Sequence, residues 1–336
     1  MSNHAAAAGA AEVAGGDVLL EMRDVAFAWK KGRGVLKGLS IDLHRGEHLA
    51  LLGPNGSGKS TALSLCAGLY RPDAGSISWR FDGQRLAPDS AKARARFGVV
   101  FQHPALDQQL SGRDNLILAG HIAGLPRPQI SARVTELLEV SALTGRADER
   151  VKTYSGGMRR RLDLARAILS EPDALLLDEP TVGLDAEAFE RFWQHLRALR
   201  QSTGLTLIVA THRPEEAARC DRLVMIDQGR AVHDGTPEAT VRAIGQDLLA
   251  LRAERPDEIA STVQARLGLV ARVTGVAEAT CEVPLGEDGA RLLVQVVELF
   301  AGGRLDAIEL RRPTLGDAFL KLTGSHLAAD VDAEAA

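Results

Sequence analysis

The chain has 336 residues, of which 45% are hydrophobic and 25% are charged, a composition typical of a globular protein with a buried core. That length allows one large α/β domain and a smaller second domain. The 40 basic and 44 acidic residues give a net charge of −4. Because there is no basic surplus, the charge balance argues against nucleic acid as the main partner.

The termini and the cysteines favour a cytosolic protein. Residues 1–16 are rich in alanine and glycine and lack the basic start and leucine-rich centre of a signal peptide, so we expect a disordered leader. No stretch approaches the roughly twenty apolar residues that span a membrane. Cys66, Cys220 and Cys281 are widely spaced without a metal-ligand pattern, and we expect reduced, buried thiols.

Between residues 17 and 245, short apolar runs alternate with amphipathic helical patterns. Strands are predicted for apolar runs at 48–53, 97–102, 174–179 and 205–211. Near-continuous apolar strands separated by helices are typical of a parallel sheet covered on both faces, so an α/β domain is predicted here. The periodicity from 111 to 149 is helical, which predicts a helical insertion between two strands. With its flanks, this helical subdomain covers about residues 103–165.

A separate pattern begins after residue 245. Helices are predicted at Pro256–Leu267 and 290–300, and strands at 269–275, 279–285 and 305–310. This arrangement predicts a small α+β domain over residues 246–323, in which no catalytic constellation is evident. An Ala/Asp-rich flexible tail is expected at 324–336.

The sequence GPNGSGKST matches the phosphate-loop pattern G-x-x-x-x-G-K-[ST], with an apolar strand before it and a helix after it. Its glycines let main-chain N–H groups wrap around phosphate, and the helix adds its positive end. Lys59 is expected to reach the β- and γ-phosphates of ATP, and Ser60 to bind Mg²⁺. By itself the loop leaves kinases, GTPases and many ATPases open. The predicted binding residues are Gly53, Pro54, Asn55, Gly56, Ser57, Gly58, Lys59, Ser60 and Thr61.

Two carboxylates end the apolar strand ALLLDE. Asp178 is suited to hold Mg²⁺, and its neighbour Glu179 is suited to polarise an attacking water. Either acid alone would also fit an ordinary strand end before the turn at Pro180. Together with a phosphate loop, the pair predicts a nucleotide-hydrolysing site.

A Ser-Gly-Gly motif opens an arginine-rich helix, and its last glycine lies 21 residues before Asp178. This order resembles the ABC ATPase family, in which the motif, called the signature, caps the γ-phosphate held by the phosphate loop of the other subunit. Small residues, a hydroxyl and a helix N-terminus suit an anion. The family's leading Leu and final Gln are replaced by Tyr154 and Met158. The resemblance covers about residues 17–323. The signature residues are Ser155, Gly156 and Gly157.

The resemblance assigns roles to three more polar residues in the order in which the family has them. Gln102 resembles the glutamine that senses Mg²⁺ and the nucleophilic water and faces the membrane partner. Asp185, in the segment TVGLD, resembles the aspartate that crosses the dimer interface. His212 resembles the switch histidine that contacts the γ-phosphate.

Aromatic and arginine residues complete the set of candidates. Trp29 resembles the aromatic residue that stacks on adenine. Phe27 is its rival because it would share the same face of a strand, and a core position is open to both. The arginines at 159–161 could contact phosphate or a partner, but such a run is more often a solvated helix face, and no role in the site is assigned to them.

The segments YSGGMRRRLDLA and PTLGDAFLKLTG resemble ATPases of ABC-2 exporters, particularly of the daunorubicin-resistance type. The resemblance implies a P-loop NTPase fold of the ABC nucleotide-binding type in residues 17–245. It implies ATP hydrolysis with Glu179 as general base, and Mg²⁺ near Ser60, Gln102 and Asp178. The implied partners are a second ATPase subunit, in a homodimer, and a separately encoded multi-span permease. The implied location is cytoplasmic, peripheral on the inner face of the cell membrane through that permease.

Two alternatives remain open from the sequence. One is a soluble ABC ATPase that acts on ribosomes or DNA, against which stand a single ATPase unit, no long coiled coil and the acidic charge. The other is an assembly ATPase for cofactor biogenesis, in which ATP gates a protein complex and no solute moves.

Overall fold

The chain divides into two compact units, Met1–Gly235 and Thr236–Ala336. The computed structural model describes residues 17–29, 34–243, 247–275, 278–283, 287–301, 305–324 and 327. The predicted leader and all but two residues of the predicted tail lie outside the described residues. None of the helices in these ranges is long and apolar enough to cross a membrane.

The first unit contains two sheets with helices around them. Its strands are β1 Val18–Ala28, β2 Gly34–His44, β3 His48–Leu52, β4 Ala74–Phe81, β5 Gln84–Leu86, β6 Phe97–Val100, β7 Ala174–Asp178, β8 Thr206–Thr211, β9 Arg222–Asp227 and β10 Arg230–Gly235. Its helices are α1 Lys59–Cys66, α2 Ala91–Arg94, α3 Gly112–Ile122, α4 Arg127–Val140, α5 Gly156–Ile168, α6 Ala186–Thr203 and α7 Pro214–Ala217, with 3₁₀ turns at Thr144–Arg146 and Val151–Thr153.

The larger sheet has the strand order β10-β9-β3-β8-β7-β6. Strands β9, β3, β8, β7 and β6 are parallel, and β10 adds an antiparallel edge through a tight turn. Every residue of β3, β7 and β8 is buried, as expected for a sheet covered on both faces. The sequence therefore located these strands correctly, although each is one or two residues shorter than predicted.

The second sheet, of order β2-β1-β4-β5, is antiparallel and was not anticipated from the sequence. Helix α1 packs between the two sheets, where it contacts β2 and β4 on one side and β7 and β8 on the other. The stacked rings of Trp79 and Phe97 join this core, and the Trp79 indole N–H donates to the Cys66 carbonyl at 2.8 Å. Cys66 and Cys220 are buried free thiols.

The segment between β6 and β7 is largely helical. Residues 111–149 form α3, α4 and a 3₁₀ turn, and contain no strand. Ser111 caps α3 by accepting the Asp114 N–H, and Ile130, Val134 and Leu137 form the buried side of α4. Helix α5 packs against both α3 and α4 and also reaches β6 of the larger sheet.

The second unit contains a βαββαβ arrangement. Its elements are α8 Pro237–Arg242, β11 Asp247–Arg252, α9 Pro256–Leu267, β12 Ala271–Gly275, β13 Glu278–Val283, α10 Glu287–Leu299, β14 Ala307–Arg311 and α11 Leu315–Thr323. The sheet order is β12-β13-β11-β14 with all pairs antiparallel, which is the ferredoxin-like topology. Its apolar core includes Leu249, Leu251, Val263, Val296 and Phe300. The unit begins at Thr236, ahead of the boundary placed at residue 246 from the sequence.

Candidate nucleotide-binding and hydrolysis site

The phosphate loop connects β3 to α1 and is tightly packed. A Cβ atom on Gly53 would lie 2.2 Å from the Ile226 carbonyl oxygen, and Gly58, at φ +111°, would place one 2.7 Å from the Leu36 side chain. Only glycine fits both positions. The loop is also held from behind, because the Gly229 N–H donates to the Ser57 carbonyl at 2.9 Å.

Lys59 lies inside this loop. Its ammonium donates to the carbonyl oxygens of Gly53 at 2.7 Å and Pro54 at 2.9 Å, and the side chain is buried. Burial lowers the pKa of Lys59, and the charges of Glu179 and Asp178 oppose that shift. A cation held at the mouth of a loop of N–H groups is suited to bind phosphate oxygens.

Ser60 and Asp178 meet at the first turn of α1 and the end of β7. The Ser60 hydroxyl donates to Asp178 Oδ1 at 2.8 Å. Burial raises the pKa of Asp178, while the Ser60 hydrogen bond and the Lys59 charge lower it. No group of three or more His, Cys, Asp or Glu among the described residues could hold a metal ion. The pair nevertheless fits Mg²⁺, because that ion is usually bound by one or two carboxylates together with substrate phosphates and water.

Glu179 lies between Gln102 and His212. The Gln102 amide N–H donates to Glu179 Oε2 at 3.1 Å, and His212 Nδ1 lies 3.1 Å from Oε1. Both Glu179 and His212 are 8% exposed. Glu179 has φ +45°, which ends the strand, and its N–H donates to the Ala210 carbonyl at 2.9 Å. The two flanking side chains orient the carboxylate, as required of a group that aligns and activates a water.

Arg160 is a residue of this site that the sequence interpretation missed. The run at 159–161 was expected to face solvent, but Arg160 is 4% exposed. Its guanidinium donates to four backbone carbonyls, those of Phe101, Asp178, Glu179 and Pro180. The interpretation as a solvated helix face is therefore wrong for Arg160. The spacing offered one signal, since Arg160 shares a helix face with apolar Leu164 and Ala167.

The signature residues and Asp185 lie at the starts of two helices. Ser155 caps α5 by accepting the Met158 N–H at 3.2 Å, and Asp185 caps α6 by accepting the Ala188 N–H at 2.7 Å. Ser155, Gly156 and Asp185 are exposed, and none has a hydrogen bond to the phosphate loop among the described residues.

Tyr154, which replaces the leading Leu of the family signature, is a core residue. It is 2% exposed, and its hydroxyl donates to the Arg146 carbonyl at 2.7 Å. Gly112 leaves room for the ring, since a Cβ there would lie 2.3 Å from the tyrosine oxygen. The departure from the family pattern therefore anchors the start of α5 to the helical insertion.

The aromatic candidates differ in exposure. Trp29 is 52% exposed, whereas Phe27 is 8% exposed and packs in the core. The Trp29 ring lies edge-on to Phe27 at 5.1 Å and to Tyr70 at 4.7 Å between centroids. Of the two candidates, Trp29 has the ring that is accessible for stacking on a base, and Tyr70 beside it is a second exposed ring that the sequence pattern did not indicate.

Residues 36–182 match the family described as "ABC transporter". Relatives named Nod factor export ATP-binding protein I include one from Burkholderia lata, 40% identical over 299 residues that cover 87% of this chain and 93% of the relative. Another, from Sinorhizobium fredii, is 37% identical over 314 residues, 93% of this chain and 88% of the relative. The chain belongs to the ABC transporter family. It is an ATP-binding subunit of the exporter type, and its reaction is ATP hydrolysis.

Solved structures agree with this membership. The CbiO1 subunit of a Clostridium perfringens ABC transporter complex superposes with a TM-score of 0.59 at 28% identity, covering 75% of this chain and 96% of that one. A dimeric MJ0796 ATP-binding cassette, in a post-hydrolysis state with ADP and Pi, gives 0.59 at 26% identity, covering 65% and 98%. The P-loop NTPase fold predicted from the sequence is thereby confirmed.

One chain of this ABC ATPase therefore presents two separate groups. Residues of the phosphate loop and the ends of β6, β7 and β8 converge around Lys59 and Glu179. The signature and Asp185 instead cap helices on the exposed surface.

Proposed function

We propose that two copies of this subunit close around two ATP molecules and thereby power solute export through a separate ABC-2-type permease. Each ATP would lie between the phosphate loop of one copy and the signature of the other. The observation that carries this proposal is the separation just described: Lys59 and Glu179 lie in one cluster, while Ser155 caps an exposed helix N-terminus.

The exposed end of α5 is suited to an anion supplied from outside the chain. Its first turn contains no acidic residue, and Gly156 and Gly157 leave the backbone N–H groups accessible. A helix N-terminus with open N–H groups stabilises phosphate. In the closed pair it would bind the γ-phosphate and exclude bulk water from the reacting group.

Within each site, the roles follow from the contacts. Lys59 would bind the β- and γ-phosphates, and Trp29 would stack on adenine. Ser60, Asp178 and the Gln102 amide oxygen would hold Mg²⁺, which when bound neutralises charge on the phosphates. Glu179, oriented by Gln102 and His212, would accept the proton of the attacking water.

The Glu179→Gln variant tests the catalytic assignment. Gln is nearly the same size, so ATP and Mg²⁺ binding should remain while hydrolysis falls by about 10²–10⁴-fold, the scale for loss of a general base. ATP turnover and the affinity for a fluorescent ATP analogue are measured together. Undiminished turnover would contradict the role of Glu179.

A second substitution in the Glu179→Gln background tests the shared site. Gly157→Asp adds a negative charge at the proposed γ-phosphate contact, yet a Cβ there meets only Leu184, at 3.8 Å, so the fold should tolerate it. Light scattering with Mg-ATP should show a dimer for Glu179→Gln alone and a monomer for the double variant, with ATP still bound. Gly145→Asp is the matched control, because a Cβ at Gly145 meets nothing within 4 Å. Equal dimerisation of all three proteins would contradict the shared site.

The permease and the location on the inner face of the membrane are proposed from the relatives, which are named for export. A tagged chain should co-purify from gently solubilised cells with a multi-span membrane protein, and mass spectrometry would identify it. Recovery with ribosomes or DNA in place of a membrane protein would favour the soluble alternative. That binding would weaken strongly with added salt if the partner is nucleic acid.

A further inference from the structure

Arg160 makes an unusual set of contacts for a residue in a helix whose N-terminus is exposed. Its guanidinium donates through Nε to the Pro180 carbonyl at 2.5 Å and through one terminal nitrogen to the Phe101 carbonyl at 2.5 Å. The other terminal nitrogen donates to the carbonyls of Asp178 at 3.0 Å and Glu179 at 2.7 Å. The planar fork of an arginine carries five N–H donors on three nitrogens and can reach four carbonyls in different directions, whereas a lysine has three donors on one nitrogen.

These carbonyls belong to the backbone that carries the reacting side chains. Phe101 directly precedes Gln102, Asp178 is the last residue of β7, and Glu179 follows it. Glu179 adopts φ +45°, a conformation that residues other than glycine rarely adopt and that needs support from its surroundings. Arg160 supplies that support, and it joins the end of β6 to the end of β7 from the side of α5.

The acidic neighbour of Arg160 on the same helix does not compete for its donors. Asp163, which is fully buried, lies 4.0 Å from Arg160 and 2.8 Å from Arg166. Arg166 in turn donates to the Val99 carbonyl at 2.8 Å. Because the nearer partner of Asp163 is Arg166, the Arg160 N–H groups remain directed at the backbone carbonyls.

We propose that Arg160 is a positioning residue for ATP hydrolysis: it fixes the peptide segments of Gln102 and Glu179 to α5, so that this helix sets the place of the general base. The proposal rests on the assignment of Glu179 under "Proposed function". Since α5 begins at the signature, the helix that would touch the ATP of the opposite copy also fixes the base of its own copy. Arg160 has no hydrogen bond to phosphate-loop residues among those described, so its loss should reduce turnover and leave ATP binding intact.

Two substitutions and a matched control test the proposal. Arg160→Met replaces the guanidinium by an unbranched apolar side chain without N–H donors. Arg160→Lys retains the positive charge but places it on a single nitrogen. The control is Arg133→Met, because Arg133 on α4 likewise donates to backbone carbonyls, those of Ile168 and Leu169 at the far end of α5.

For each protein, kcat and KM are measured per nucleotide-binding site, counted by titration with a fluorescent ATP analogue, so that unfolded chains do not lower the result. Arg160→Met should lower kcat by on the order of 10–100-fold, the scale for misplacing a catalytic group, with analogue affinity within about threefold. Arg160→Lys should fall between Arg160→Met and wild type. Arg133→Met should keep both values within about twofold. If Arg160→Met does not fold, Arg160→Lys is held to the same criterion of reduced kcat at unchanged affinity.

The Glu179→Gln background separates the possible outcomes. If Arg160 acts through Glu179, adding Arg160→Met to Glu179→Gln should reduce the residual turnover by less than about twofold. Full turnover by Glu179→Gln would refute the assigned base itself. Reduced turnover by Glu179→Gln with wild-type kcat in Arg160→Met would overturn the inference alone. A loss of ATP-analogue affinity in Arg160→Met that parallels the loss of kcat would also overturn the inference. Full additivity of the effects of the two substitutions on turnover would do the same, since either result indicates a purely structural role.

Discussion

In the first unit, charged side chains lie buried where parallel strands end, whereas the described core of the second unit is apolar. Lys59, Asp178 and Arg160 are each less than 10% exposed in the first unit. Among the described residues of the second unit, no charged side chain is buried. Burying a charge costs free energy unless specific partners compensate it. The comparison therefore places the candidate chemistry in the first unit.

The largest expected effect is the loss of turnover in Lys59→Ala. Lys59 is the only side-chain cation within the loop sequence GPNGSGKST. Its removal should weaken ATP binding and reduce hydrolysis by at least about 10²–10³-fold, the scale for losing a charged group that stabilises phosphoryl transfer. Lys92→Ala, on the exposed side of α2, is the control and should be indistinguishable from wild type. Retained ATP affinity and turnover in Lys59→Ala would contradict the placement of the ATP chemistry at the phosphate loop of the first unit.

A substitution in the apolar core of the second unit should lower the stability of that unit and leave ATP binding unchanged. Val263 is 0% exposed, and Val263→Ala should destabilise that unit by about 1–3 kcal/mol through lost burial and a cavity. ATP affinity should not change. The control is Val294→Ala on α10, where the side chain is 56% exposed and the effect should be within about 0.5 kcal/mol. Urea unfolding and ATP titration distinguish the outcomes, and a lost ATP affinity in Val263→Ala would show that the units are not separable in function.

Trp29→Ala tests which aromatic ring of the first unit stacks on adenine, the exposed ring of Trp29 or the buried ring of Phe27. Stacking of a base on an aromatic ring contributes about 1–3 kcal/mol, so the KM for ATP should rise by on the order of tenfold with little change in kcat. Phe27→Leu should instead lower stability and leave KM unchanged, because Phe27 is a core residue. A raised KM in Phe27→Leu alone would transfer the role to Phe27.

Acid should weaken the first unit through His48. Burial lowers the pKa of His48 to about 4, the charge of Arg200 adds to the shift, and Asp221 opposes it. Between pH 6.5 and 4 the unfolded chain binds a proton that the folded chain does not, so stability is full above this window and falls with falling pH. From pH 7.5 to 5.5 the loss is about 1.3 kcal/mol. His48→Gln should lack this part of the pH dependence in urea unfolding, and identical slopes would refute the assignment. The second unit has one histidine, His326.

Much of the first unit could be predicted because its chemistry depends on short contiguous segments. A continuous apolar run, a glycine loop and a lysine identify β3, the loop and α1 together, and the run ALLLDE identifies β7 with its acids. The end of β7 was placed one residue too late because Glu179 turns out of the sheet at φ +45°, which no local pattern indicates.

Other features depend on contacts between distant segments. Arg160 cannot be distinguished in sequence from its half-buried neighbours Arg159 and Arg161, and its contacts appear only when the carbonyls of Phe101 and Glu179 are in place. The strand β11 was missed because DLLALR also fits a helix, although it is the central strand that pairs with β13 and β14. The exposure that favours Trp29 over Phe27 likewise follows from the burial of Phe27 in the core, not from strand alternation.

The strand order of the larger sheet has a consequence for biosynthesis. β3 pairs with β8 and β9, and the Gly229 N–H that backs the phosphate loop belongs to the turn before β10. A nascent chain therefore exposes the loop and its apolar strand long before their neighbours leave the ribosome. Contacts of such high sequence separation form late, and unpaired apolar strands invite aggregation meanwhile. The ATP site can become complete only when synthesis has passed Gly235, so rare codons or pauses before that point should reduce the yield of active protein.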